Sequence, residues 1–177
     1  MNLIIDSHED IAWNIINLDR DYTQSAYDIR ESEKNTLIPG FNGSTLLGFP
    51  QYQQANVGII FGTLFCGPRR LDRGKYPVEN YETPTEAHAC YRKNLDAYLR
   101  LTDNNPEKFQ VILNQTDLAN HMAVWESHLK DPKDPPPPIG IVILMEGAEG
   151  ISEPSEVEDW YDWGVRIIGP AWAGNQY

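Results

Sequence analysis

Between Asn56 and Phe65 the chain reads Asn-Val-Gly-Ile-Ile-Phe-Gly-Thr-Leu-Phe, almost without a polar interruption. A strand of that character is buried on both faces, which calls for a parallel sheet covered by helices. Phe109 to Leu113, Ile139 to Met145 and Val165 to Ile168 repeat the pattern, and Leu3 to Ile5 opens the chain with a shorter apolar run. Helical signals lie between them. Thr83-Pro84-Thr85-Glu86 combines a capping box with proline at the first helical position and predicts a helix running towards Thr102. A second helix is expected from Thr116 or Asp117 to near Lys130, before Pro132. A third starts at the box Ser155-Glu156-Val157-Glu158 and stops at Gly164. Strands and helices alternating in this way predict an α/β fold, with right-handed crossovers curling about five parallel strands into a barrel wall or an open sheet.

Charge narrows the partners. With 26 Asp and Glu against 14 Lys and Arg, the net charge of −12 repels phosphate backbones and anionic lipids, so neither nucleic acid nor membrane is an expected partner. No apolar run approaches the roughly 20 residues needed to span a bilayer. The N-terminus has no basic segment followed by a long apolar one, so no signal peptide is expected. Cys66 and Cys90 form no framework and match no zinc-binding spacing; they read as reduced residues of a cytoplasmic protein.

The stretch 19–54 is polar and rich in glycine and proline, a long loop insertion directly after the first strand, and such excursions are more often functional than accidental. Pro135 to Pro138 read as a stiff connector entering the next strand. The 177 residues are expected to form a single domain, and an incomplete one: a closed (β/α)8 barrel needs ~250 residues, and only about five strands can be read here.

Asp6-Ser-His8-Glu-Asp10 follows the first strand directly. In parallel barrels the C-terminal ends of strands face the active site, and in extended chain His8 and Asp10 point the same way, because side chains alternate with a period of two. An imidazole beside a carboxylate suits Zn²⁺ or a similar divalent ion. The same residues also read as a polar loop capping a helix that starts near Ile11. Glu146 ends the apolar run Ile139 to Met145 and opens Met-Glu-Gly-Ala-Glu-Gly150, where the glycines would let backbone pass close to an ion or substrate. Glu149 is an equally acidic competitor. His88, His121 and His128 all fall on crossover helices, where a solvated or partly buried surface role is expected. The acidic residues Glu153, Glu156, Glu158, Asp159 and Asp162 suit the first turns of a helix. Trp125, Trp160 and Trp163, at helical spacings, are expected to pack against the sheet.

These blocks resemble the membrane dipeptidase (renal dipeptidase) family. Ile4-Ile-Asp-Ser-His-Glu-Asp-Ile11 is similar to that family's Asp-Gly-His-Asn-Asp-Leu opening, and Val142-Ile-Leu-Met-Glu-Gly-Ala-Glu-Gly-Ile151 to its Glu-Gly-Gly-His-x-Ile block. Leu-Gly-Phe-Pro-Gln-Tyr52 with Val57-Gly resembles its Leu-Pro-x-Leu-x-x-Gly-x-Val-Gly segment, and Trp160-Tyr-Asp-Trp-Gly-Val-Arg-Ile167 its Phe-Tyr-x-Leu-Gly-Val-Arg-Tyr. The blocks occur in the family's order along essentially the whole chain.

The resemblance implies the N-terminal part of a (β/α)8 TIM-type barrel of the metal-dependent hydrolase kind. It implies a dipeptidase in which a hydroxide held between two Zn²⁺ ions attacks the peptide carbonyl. His8 and Asp10 would bind the first zinc, and Glu146, counted as catalytic, would bridge to the second. The family's remaining two histidine ligands and its acid/base aspartate have no counterpart here. A histidine that the family carries after the fifth strand is replaced by Trp172, and the histidine of its Glu-Gly-Gly-His block by Glu149. Trp172 and Asn175 are the substrate-binding candidates. The expected partner is a small molecule, a dipeptide or related amide, with a homodimer left open. Competing expectations are a barrel hydrolase acting on another amide, a lactone or an ester, and a non-catalytic binding protein of the same fold.

Overall fold

The structure, a computed structural model, describes residues 2–72, 74–132 and 135–172. In chain order the elements are β1 (Ile4–Glu9), α1 (Ile11–Leu18), α2 (Ala26–Glu33), α3 (Ile38–Asn42), α4 (Phe49–Ala55), β2 (Val57–Leu64), β3 (Gly67–Pro68), β4 (Asn80–Tyr81), α5 (Pro84–Asn104), β5 (Phe109–Val111), α6 (Gln115–Lys130), β6 (Ile139–Met145), α7 (Glu156–Asp162) and β7 (Val165–Ile168).

Five parallel strands make the main sheet, in the order β1-β2-β6, and beyond β6 its free edge is shared. β5 pairs with the lower half of β6, Phe109 opposite Ile139 and Val111 opposite Ile141, while β7 takes the upper half, Val165 opposite Ile143 and Ile168 opposite Met145. The strands therefore do not follow sequence order. β5 is too short to separate β2 from β6, so the two longest apolar strands pair directly. Arg166, the one charge in β7, closes the gap by donating to the carbonyls of Leu113 and Tyr161.

The core lies where the apolar pattern put it. Ile59, Ile60 and Leu64 of β2 and Ile139, Ile141, Ile143 and Met145 of β6 are buried together with Tyr91, Leu95 and Tyr98 of α5. β1 differs: at the edge of the sheet, its Ile4 and Ile5 are about half exposed, at 46% and 52%. Trp125 and Trp160 are fully buried, whereas Trp163 stays partly exposed under the Arg92 guanidinium, 4.0 Å from its ring centroid. Among the described residues no helix is long and apolar enough to cross a membrane.

Local signals held where a side chain can satisfy the first turn. Thr83 and Glu86 form the expected reciprocal capping box on α5. The α6 helix starts one residue earlier than expected, because Asn114 accepts from the Asp117 amide and so takes the cap position. The expected box at Ser155 does not form: among the described residues Ser155 caps nothing, and Glu156 instead accepts from the Ser152 amide. The stretch 19–54 is not a bare loop but holds α2, α3 and α4. Its anchor is a buried, bidentate pair. Arg20 donates through Nε and Nη2 to the two Glu33 oxygens at 2.7 and 3.1 Å and reaches the Gly43 carbonyl and the Asn14 side chain. Such a pair in the interior specifies one geometry, and composition alone gave no sign of it.

His121 also departs from its expected surface role. It is buried on α6, with Nε2 2.7 Å from the Gly58 carbonyl and Nδ1 against Gln110. Burial lowers its pKa, outweighing the opposing Gly58 hydrogen bond. A base held neutral in the fold but free to protonate in the unfolded chain stabilises the protein above about pH 6.5, and that contribution drains away as pH falls below it. The stability difference between pH 8 and pH 5, measured by urea unfolding, should therefore shrink in His121→Gln relative to the parent. An unchanged difference would assign the acid sensitivity elsewhere.

Candidate metal centre

Because every strand of the main sheet is parallel, all the C-terminal ends emerge on one side, and the chemistry-bearing residues gather there. β1 carries two irregularities against β2 that cancel: Ile4 opposite Val57 and Glu9 opposite Gly62 would fit one unbroken register, but the ladder shifts after Ile4 and again between Asp6 and Glu9. The second shift lies across Ser7 and His8. There the Asp6 carboxylate accepts from the His8 amide at 3.1 Å, and a bulge of this kind re-aims the side chain it carries. The expectation of simple alternation from His8 to Asp10 gives way to this turn of the backbone.

Asp10 occupies the N-cap position of α1, yet among the described residues no side-chain bond caps that helix. Its carboxylate turns instead towards Thr63 of β2, whose hydroxyl donates to Oδ1 at 2.5 Å. Its carbonyl receives both the amide and the side-chain NH₂ of Asn14. The reading of this motif as a mere helix cap is thereby removed. On β6, the Glu146 amide donates to the Leu64 carbonyl at 3.2 Å, which sets Glu146 beside the end of β2. On the other side the Gly169 amide donates to the Met145 carbonyl at 2.8 Å. A Cβ at Gly169 would stand 2.5 Å from the Glu146 carbonyl oxygen, so only glycine lets β7 close on this point.

The result is a cluster in which His8, Asp10 and Glu146 each offer one ligand atom, all within 4.8 Å of one another. His8 Nε2 is 3.1 Å from Glu146 Oε1, and the His8 side chain is 46% exposed, so the cluster is reachable from solvent. Burial by itself would lower the His8 pKa, but the hydrogen bond to Glu146 and the charges of Asp10, Glu146 and Glu9 outweigh it and raise it. Glu9 points elsewhere and is pushed up to about 7, first by burial and then by the neighbouring charges of Asp6 and Asp10. One neutral imidazole nitrogen and two carboxylates converging with an open side match the donor set of a catalytic zinc site, where three protein ligands leave a position for water or substrate. Ligand atoms ~2.0–2.2 Å from an ion lie roughly 3–3.6 Å from each other in a tetrahedron, so the observed spacing fits with small side-chain adjustments.

Glu149 does not compete for this role. It is buried on the far side of the Gly147–Gly150 turn, where it accepts from the Tyr91 hydroxyl at 3.3 Å. The glycines around it serve packing rather than ligand approach: Gly147 makes room for the Glu149 carboxylate and Gly150 for the Tyr91 ring. Burial and the Glu149 charge together raise the Tyr91 pKa.

Trp172 is 48% exposed and meets Phe65 edge-to-face with ring centroids 4.9 Å apart. Phe65 follows the Leu64 carbonyl that binds Glu146, so the two rings stand along the rim of the cluster. Asn175 lies outside the described residues. Sequence reading missed Phe65, Gly169 and Thr63. Only Thr63 carried a signal, as the lone hydroxyl in an otherwise apolar strand, since a buried polar group needs a partner.

Neither a protein-family model nor a curated protein sequence matches the chain. Solved structures do. The chain is similar to dipeptidase AC, a metallopeptidase, at a TM-score of 0.62 and 14% identity over 97% of this chain and 43% of that one. It is similar to the probable dipeptidase PvdM from Pseudomonas aeruginosa at 0.64 and 13%, over 99% and 36%. A metallopeptidase from Rhodobacter sphaeroides, solved with a phosphinate mimic of the dipeptide L-Ala-D-Ala, matches at 0.62 and 14%, over 97% and 46%. The chain spans less than half the length of each. At these identities the likeness is one of fold, and the five-stranded sheet is part of a dipeptidase-type (β/α) barrel.

A testable consequence concerns Glu149. Because its carboxylate is buried against Tyr91 and away from His8, Glu149→Ala should lower the melting temperature, by the ~1–3 kcal/mol typical of a buried group left without its partner. Zinc content should not change, and elemental analysis beside a thermal melt separates the two effects. Loss of metal from this variant would move the centre to Glu149.

Proposed function

We propose that the chain supplies ligands to the metal centre of a zinc-dependent hydrolase that cleaves the amide bond of dipeptides. The observation that carries this reading is the convergence of His8, Asp10 and Glu146 at the mouth of a dipeptidase-type barrel, with Asp10 withdrawn from its helix-capping role. His8 would contribute Nε2, and Asp10 and Glu146 one or more carboxylate oxygens. Glu146 has the further capacity to reach a second ion through its other oxygen. When bound, zinc supplies Lewis acidity, lowering the pKa of water and polarising a carbonyl oxygen.

The chain's own residues set up the rest. His8 must be neutral to offer its lone pair, so proton and metal compete for Nε2, and its raised pKa moves that competition to higher pH. Glu146 and Asp10 supply the negative charge that offsets a divalent cation in a half-buried site. The Phe65–Trp172 wall gives the reacting end of the substrate an apolar flank and keeps water from that side. A large indole where the similar family has a histidine favours a second reading, hydrolysis of a bulkier amide, a lactone or an ester at the same centre.

Two experiments test the reading. In the protein, Glu146→Ala should lose metal and cut hydrolysis of a dipeptide panel by more than the ~10–100-fold that outer partners cost, and Asp10→Ala should lose metal too. Retention of full zinc content by both variants would end the proposal. Trp172→Ala should change the ranking among substrates with small and large side chains, and esters against amides, while zinc content stays constant. Equal loss on every substrate with a lowered melting temperature would assign Trp172 to packing.

A further inference from the structure

We propose that Thr63 is a positioning residue of the metal centre, holding one oxygen of the Asp10 carboxylate so that the other is presented to the cation. The inference rests on the metal reading above and deepens it. Thr63 is fully buried on β2, with its hydroxyl 2.5 Å from Asp10 Oδ1 and 3.1 Å from the Glu9 carbonyl. A hydroxyl has one hydrogen, and two acceptors compete for it. The Glu9 carbonyl already receives the Tyr98 hydroxyl at 3.0 Å, so it does not depend on Thr63. A contact of 2.5 Å is in the range of a charge-assisted O–H to carboxylate bond, the stronger of the two choices. The hydrogen therefore belongs to Asp10.

Asp10 needs such a partner. As an N-cap residue it has four helix amides nearby that ordinarily capture an aspartate side chain. Capture would turn the carboxylate away from His8 and Glu146. Thr63 supplies the alternative from a neighbouring strand, and the Asn14 amide and side chain hold the Asp10 carbonyl at the other end. The β-branched side chain suits the task, because its methyl and hydroxyl leave few χ1 choices and the strand backbone then dictates where the hydroxyl points. β2 is itself pinned in register by β6, the strand that carries Glu146, so two of the three ligands are referred to one rigid ladder. Partners that orient a metal ligand in this way are worth ~10–100-fold in affinity.

The test is metal binding by the protein, using Zn²⁺ against a competing chelator and the visible spectrum of the Co²⁺-loaded form, with no dependence on turnover. Thr63→Val keeps the shape and deletes the hydroxyl, Thr63→Ser keeps the hydroxyl and deletes the methyl, and Asp10→Ala serves as the reference. The proposal expects Thr63→Val to weaken Zn²⁺ binding ~10–100-fold and to alter the Co²⁺ spectrum, with Thr63→Ser restoring most of both. Should Thr63→Val prove too unstable, Thr63→Ala gives the same comparison against Thr63→Ser at matched melting temperature. Unchanged affinity and spectrum in Thr63→Val, while Asp10→Ala loses metal, would overturn the positioning role and leave the metal centre standing. Metal binding indifferent to Asp10→Ala would overturn both.

Discussion

The ladder between β2 and β6, unbroken from Ile59 opposite Gly140 to Leu64 opposite Met145, is the constraint on which the rest of the structure depends. It joins the two longest apolar strands and fixes where both end. Because side chains alternate along a strand, a slip of one residue would turn Thr63 and the residues leading to Glu146 to opposite faces. The apolar cost of that slip is large, since Ile59, Ile60, Ile141, Ile143 and Met145 would all exchange burial for exposure. Packing thus sets the site register. The hydrogen bond from the Glu146 amide to the Leu64 carbonyl continues the ladder by one step, into the region where Phe65, Glu146 and Gly169 meet.

What the sequence made legible follows from the same physics. β6 and β7 matched their apolar runs residue for residue, since a fully buried strand must be apolar along its whole length. The long α5 was legible from its capping box, a local device needing no tertiary partner. His8, Asp10 and Glu146 were legible because strand ends in a parallel sheet are a predictable place. The strand order was not, because it hinges on how short β5 is, and three residues of ladder are set by tertiary contacts rather than by propensity. Nor was the helical content of 19–54. Its order comes from one buried Arg20–Glu33 pair, which looks like ordinary surface charge until both partners are placed.

His121 and Glu149 show the opposite error, in which chemistry-bearing residue types turn out to be structural. Both are buried and hydrogen-bonded, and both sit against a close approach of backbone: a Cβ at Gly140 would meet the His121 ring, and one at Gly147 would meet the Glu149 carboxylate. A buried polar group with its partners satisfied is part of packing, whatever its residue type. The three centre residues differ in being partly open to solvent with donor atoms turned towards each other.

Asp10 links the insertion to the centre. An aspartate cap on α1 would be worth ~1 kcal/mol, and the first turn of α1 contains no acidic residue to take its place. The helix start is instead held through Asn14, whose amide and side chain both bind the Asp10 carbonyl while its own side-chain oxygen accepts from Arg20 and Asn42. Arg20 is in turn fixed by Glu33, and breaking a buried pair of that kind costs about 3–5 kcal/mol because one charge is left stranded. The stretch 19–54 therefore buttresses the backbone of a candidate ligand from outside the barrel wall. Its position immediately after β1 has a physical reason: the segment that frees the Asp10 carboxylate from its cap must also replace what the cap would have contributed.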